Sequence, residues 1–217
     1  MLFNRHKLDI PTEEQALSGR AAQPFHLSER HRVLDAPLVT DETNIPSGYQ
    51  VAVFGLGCFW GAEEIFWKMP GVWSTSAGYA GGSTPHPSYE EVCSGRTGHT
   101  EAVRVVFDPT KVAYADLVRA FYETHDPTMG MRQGNDVGTQ YRSALYTLSS
   151  EQDSVARELT AAYDPELTRR GYGPITTEIK PAPTYYYAED VHQQYLAKNP
   201  FGYRCHSATG VPVPSSA

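Results

Sequence analysis

The hydrophobic pattern of this chain changes period at a glycine, and that change limits the folds open to it. Gln50-Val51-Ala52-Val53-Phe54 is a short apolar run that stops at Gly55, the signature of a buried strand. Directly after it, Ala62, Ile65, Phe66 and Met69 recur at helical spacing within Trp60 to Met69, with Glu63 and Glu64 near the start and Pro70-Gly71 at the stop. The alternation then repeats. Strands are expected over Val72 to Tyr79, Glu101 to Phe107, Ser143 to Leu148 and Ile175 to Ile179. Helices are expected around Tyr114 to Tyr122, after a Ser149/Gln152 capping box, and over Ala188 to Leu196. Strands alternating with helices predict an α/β fold, a sheet covered by helices and built from βαβ units.

Residues 50–200 carry these patterns and form the expected catalytic domain. Residues 1–49 are polar, with Pro11, Pro24, Pro37 and Pro46 spaced through them, and read as an extension that wraps the domain or is partly disordered. Residues 201–217, rich in Ser and Pro, read as a flexible tail. The 18 basic and 25 acidic residues give a net charge of -7, which argues against nucleic acid as the main partner. With no apolar stretch of membrane-spanning length and no signal-peptide core, a cytoplasmic protein is expected. Three widely spaced cysteines, Cys58, Cys93 and Cys205, suggest reduced thiols rather than a disulfide framework.

Chemistry is most strongly suggested at Gly55-Leu56-Gly57-Cys58-Phe59-Trp60-Gly61. Trp60 stands where a dinucleotide-binding loop needs its third glycine, so a phosphate cradle is disfavoured. What remains is a cysteine at a helix N-terminus, where free N–H groups favour thiolate: a nucleophile, or else a small buried hydrophobe. Phe59 and Trp60 could hold a methyl or thioether group, or serve as core. Glu101 shares a strand side with Val103, Val105 and Phe107. Facing the apolar layer, it would be held protonated and able to donate; at a strand's first position it could equally turn to solvent.

Tyr79, in a glycine-flexed turn, and Tyr141, after Gly134-Asn135-Asp136-Val137-Gly138-Thr139-Gln140, could each present a phenolic O–H to a substrate oxygen, although fourteen tyrosines make any one weakly informative. Asp136 could orient a water or close an Asx-turn. His99, His125 and His192 are the candidates for a Cys/His pair or a metal site with Cys58, but no histidine pair at helical spacing supports a metal. Cys93 reads as structural, and Cys205, in an exposed mobile tail, could swing to a second sulfur.

Five segments together, Gly57-Cys58-Phe59-Trp60-Gly61, Gly78-Tyr79-Ala80-Gly81-Gly82, Gly98-His99-Thr100-Glu101-Ala102-Val103, Gly134-Asn135-Asp136-Val137-Gly138-Thr139-Gln140-Tyr141-Arg142-Ser143 and His192-Gln193-Gln194-Tyr195-Leu196, closely resemble the A-type peptide methionine sulfoxide reductases over residues 48–205, roughly three-quarters of the chain. The resemblance implies a two-layer, ferredoxin-like α/β fold with extended terminal segments, and a reaction without metal or organic cofactor. Cys58 attacks the sulfur of an S-sulfoxide and protonated Glu101 supplies a proton to its oxygen. Tyr79 and Tyr141 donate hydrogen bonds, Asp136 supports through water, and Phe59 and Trp60 cradle the ε-methyl group. Cys58 sulfenic acid then condenses with Cys205, and a thioredoxin-type reductant restores the thiols of a monomeric enzyme.

One departure concerns recycling. The family's resolving cysteine commonly follows Gly-Tyr directly, whereas Gly202-Tyr203-Arg204-Cys205 has it one residue later, and Pro212 stands about where some members carry a further cysteine. The disulfide is then expected to meet the external reductant without a relay. Two other readings use the same residues: a cysteine hydrolase or acyltransferase with His99 or His125 as base, and a non-catalytic module binding methionine sulfoxide through Tyr79, Tyr141 and the Phe59/Trp60 surface.

Overall fold

The apolar run at Gln50 forms a central strand, β1 (Gln50–Leu56), of the computed structural model, which describes residues 8–205 and 207–214. The following elements are α1 (Phe59–Trp67), β2 (Val72–Ala80), α2 (Tyr89–Cys93), β3 (Thr100–Phe107) and α3 (Tyr114–Thr124). A short hairpin, β4 (Arg132–Gln133) and β5 (Asp136–Val137), and a 3-10 turn (Thr139–Tyr141) lead to β6 (Ser143–Thr147) and α4 (Ser150–Arg169). The chain continues through β7 (Glu178–Pro181), β8 (Tyr186–Tyr187) and α5 (Tyr195–Lys198).

The main sheet has the order β7-β6-β1-β3-β2-β8. Its central four strands are antiparallel neighbours, so α1 carries the chain from β1 past β3 to β2, and α3 carries it from β3 past β1 to β6. These two split βαβ units make the ferredoxin-like arrangement. The crossovers therefore join strands that are not neighbours; only β6–α4–β7 links an adjacent parallel pair. Alternation places Ala52, Phe54 and Leu56 of β1 on the helix-covered face, where they meet Phe66 of α1, Phe121 of α3 and Leu159 of α4. Phe54 stacks on Phe66 with centroids 4.6 Å apart. The opposite face carries the smaller set Val53, Ala80, Ala102, Ala144 and Tyr146.

Several boundaries differ from the sequence reading. The strand expected over Ile175 to Ile179 lies later, at β7. The helix expected over Ala188 to Leu196 is a succession of turns that becomes helical only at α5. Distant partners explain the second difference: Gln193 bonds both backbone groups of Ala77, and Gln194, in the left-handed conformation at φ 45°, gives its N–H to Glu63. The box before α4 is half formed. Ser149 caps the Gln152 N–H at 3.2 Å, but the Gln152 side chain takes the N–H of Leu148 and reaches back to the Val51 carbonyl. A complete capping box, Ser88 with Glu91, starts α2, which the sequence reading missed.

Residues 8–49 contain neither helix nor strand and lie along the sheet edge and α2. Arg20 forms a two-pronged ion pair with Glu91, Ser74 Oγ donates to the Pro37 carbonyl, and Leu38 is buried. His31 enters furthest. Its Nδ1 accepts the N–H groups of Val33 and Leu34, so its Nε2 carries the proton and donates to Thr75 Oγ1 at 2.8 Å; Thr75 in turn donates to the buried Glu63 of α1 at 3.0 Å.

Candidate active site

The site begins where β1 turns into α1. Gly57 has φ 96°, and a Cβ there would stand 2.7 Å from Gln133 Cγ and 3.3 Å from Cys205 Sγ, so only glycine admits both neighbours. Cys58 follows as N-cap of α1 and is buried. Its backbone N–H donates to Cys205 Sγ at 3.2 Å, and neither cysteine is in a disulfide. Cys205 is thus buried beside Cys58, rather than exposed in a mobile tail as its surroundings in sequence suggest.

Both sides of Cys205 are held. Before it, Arg204 grips Glu64 of α1 through two bonds, 2.7 and 2.9 Å, and Tyr203 donates its hydroxyl to Asp136 Oδ1 at 3.1 Å. After it, Ser207 N–H reaches Gln133 Oε1, Tyr163 donates to the Val211 carbonyl, and Val211 and Val213 enter the main core. The β4/β5 hairpin aligns two of these anchors, because Gln133 and Asp136 are cross-strand partners.

Glu101 faces the helix layer, as strand alternation predicts, and is 1% exposed. Its Oε2 accepts the Phe59 N–H at 2.9 Å, which brings the carboxyl to the residue next to Cys58. Burial pushes its pKa up to about 8, against the smaller opposing effect of that hydrogen bond. Cys58 is also held protonated: its hydrogen bond with Cys205 raises the thiol pKa most, burial and Glu101 add to this, and the Trp60 N–H at the helix start only partly opposes them. The thiolate expected from a helix N-terminus is therefore not the resting form of this closed arrangement.

Of the two tyrosines named from sequence, Tyr141 stands beside Glu101. Burial raises its pKa first and the nearby Glu101 next. Tyr79 does not offer its hydroxyl: although it is the cross-strand partner of Glu101, it donates to Glu189 Oε2 at 2.8 Å. The tyrosine sequence reasoning missed is Tyr89, on α2. Burial raises its pKa, followed by Glu101 and by Cys93, with which it also hydrogen-bonds, and Cys58 contributes as well, so Tyr89 belongs to the same cluster of groups as Glu101 and Cys58. Only the Ser88/Glu91 capping signal could have drawn attention to it.

Phe59 is fully buried against Tyr79, Tyr89 and His192, while the half-buried Trp60 stacks on Tyr195 at 3.9 Å and donates its indole N–H to His192 Nδ1 at 3.1 Å. The other two histidines do not serve Cys58. His99 accepts the Gly82 N–H and bonds the Thr84 carbonyl, and His125 bonds the Phe121 carbonyl and Ser143. An acyl-transfer reading that uses either as base finds no support in this geometry.

A buried thiol pair, a protonated carboxyl one residue away and hydroxyls beside it suit transfer of an oxygen atom from a substrate to sulfur. Comparison with known proteins agrees. The family model described as "Peptide methionine sulfoxide reductase" matches residues 50–213. A peptide methionine sulfoxide reductase MsrA of Salinispora arenicola is 58% identical over 217 residues, 99% of this chain and 96% of its own length. Methionine sulfoxide reductase A of Corynebacterium diphtheriae superposes with a TM-score of 0.84 at 47% identity, covering 94% of this chain and 99% of that one. Mxr1 from Saccharomyces cerevisiae in reduced form gives 0.69 at 34% identity, over 75% of this chain and 93% of its own. With a family model matching residues 50–213 and a relative of 58% identity over 99% of this chain, the chain belongs to the peptide methionine sulfoxide reductase family.

Proposed function

We propose that this reductase uses Cys58 to attack the sulfur of a methionine S-sulfoxide, protein-bound or free, while Glu101 delivers its proton to the sulfoxide oxygen. The observation that carries the reading is the Phe59 N–H to Glu101 bond of 2.9 Å, which ties a carboxyl of pKa about 8 to the residue beside the nucleophile. Tyr89 and Tyr141 donate hydrogen bonds to the developing oxyanion, and Asp136 orients water at the mouth. Phe59 and Trp60 form the apolar wall for the ε-methyl group. The Cys58 sulfur gains the oxygen as methionine leaves; Cys205 sulfur then displaces it as water and forms the disulfide. The net change is methionine sulfoxide plus two thiols to methionine, a disulfide and water.

Pro212 occupies about the position where some members carry a further cysteine. On this reading the disulfide passes directly to a thioredoxin-type reductant, and a monomer in the cytosol suits this chemistry. Among the described residues no helix is long and apolar enough to cross a membrane.

Fully reduced protein mixed with racemic methionine sulfoxide and no reductant tests the reading. About one methionine forms and about two thiols disappear per chain, from the S epimer alone; no methionine overturns it. Cys205→Ser completes one turnover and stalls when thioredoxin is the only reductant, and sustained turnover by that variant removes Cys205 from the resolving role.

A further inference from the structure

Cys58 Sγ, Cys205 Sγ and a carboxylate oxygen of Asp136 all lie within 4.8 Å of one another. Two sulfurs and one oxygen suit a borderline-soft divalent cation of the zinc type, which binds thiolate at about 2.3 Å and carboxylate at about 2.0–2.2 Å. Calcium and magnesium ask for shells of six or more oxygens, which this group does not supply. At zinc bond lengths tetrahedral donors stand roughly 3.5–3.8 Å apart, so closure from 4.8 Å asks for shifts of little more than about 1 Å.

The surroundings are those of a prepared ligand set. Tyr203 donates to Asp136 Oδ1 and leaves the other oxygen available. The Cys58 N–H donates to Cys205 Sγ at 3.2 Å, which fixes that sulfur beside the start of α1. Glycine at position 57 keeps side-chain carbon away from the Cys205 sulfur. Half-buried Asp136 gives entry from solvent to two buried thiols.

We propose that the reduced protein captures one zinc-type divalent cation through Cys58, Cys205 and Asp136, and that the ion blocks sulfoxide reduction by occupying the attacking sulfur. Each metal–sulfur bond forms as its thiol releases a proton to solvent; no electron moves. The Cys58–Cys205 disulfide has no thiolate left to bind the ion, so capture is confined to the reduced state. The metal is thus a competitor for the thiols and takes no part in turnover.

Calorimetric titration of zinc into reduced, desalted protein tests this. One ion binds per chain with about two protons released, read from the dependence of the heat on buffer. Cys205→Ser and Asp136→Asn each weaken binding by about tenfold or more, and the disulfide form loses the site. Zinc also protects Cys58 of the wild-type protein from alkylation, a readout that needs neither a variant nor sulfoxide turnover, so this proposal and the catalytic one fail separately. Absence of a one-to-one isotherm overturns it, as does unchanged affinity in the disulfide form or in the Cys58→Ser/Cys205→Ser double variant, because other side chains would then hold the ion.

Discussion

Glu101 shows how much one position on a strand can decide. The carboxyl is removed from water by the same alternation that packs Val103 and Val105, and its pKa of about 8 keeps it a proton donor at neutral pH. Glutamine preserves the hydrogen bond from Phe59 but has no proton to give. Glu101→Gln is expected to slow single-turnover reduction by roughly 10²-fold while leaving binding nearly intact. The wild-type rate should also fall as pH rises through about 8, as the acid form is lost, and this limb should vanish in the variant. A near-normal rate for Glu101→Gln, measured by rapid quench, would remove it from the role.

At the scale of elements, the seat of Cys205 depends on the β4/β5 turn. Gly134 has φ 56°, and a Cβ there would lie 2.2 Å from the Cys205 carbonyl oxygen. Gly134→Ala therefore meets backbone rather than a yielding side chain. It should lower the melting temperature and slow disulfide formation while methionine release in the first turnover continues; equal rates for thiol loss and methionine release, both unchanged, would contradict this. The central strands and α3 were legible in the sequence because burial on one face writes a period of two or 3.6 into the residues. The turns at 188–194 were not, because the Ala188 N–H goes to the Ala77 carbonyl, the Gln193 side chain to both backbone groups of Ala77 and the Gln194 N–H to Glu63, all more than a hundred residues away. Cys58 and Glu101 could be named from local pattern. Tyr89 could not be told from Tyr79, since only the packing of α2 decides which hydroxyl is spent on Glu189. Nor does a Ser- and Pro-rich tail announce that Val211 and Val213 will be buried.

For the whole molecule, buried titratable groups set the pH dependence of stability. Burial raises Glu63 from 4.5 to about 7 and Glu101 to about 8, and lowers His31 and His99 from 6.5 to about 4. Between 4.5 and 6.5 the unfolded chain carries protons on the two histidines and the folded chain carries them on the two carboxyls, so the counts nearly cancel. Above 6.5 the unfolded histidines lose theirs while the folded carboxyls keep theirs, and stability falls as pH rises to about 8. Urea midpoints should be nearly level in the first window and decline in the second, less steeply in Glu101→Gln; an equal decline in that variant would reject Glu101 as a source. The pinned strap has a consequence of another kind. Held by Arg204 on one side and by Ser207 and the buried valines on the other, Cys205 meets the Cys58 sulfenic acid as a tethered neighbour at high effective concentration. The oxidised sulfur is consumed before a second oxidant arrives, so peroxide should leave wild-type protein recoverable by thiols but drive Cys205→Ser to irreversible sulfinic acid, visible by mass spectrometry. The strap gives a repair enzyme a way to survive the oxidant whose damage it reverses.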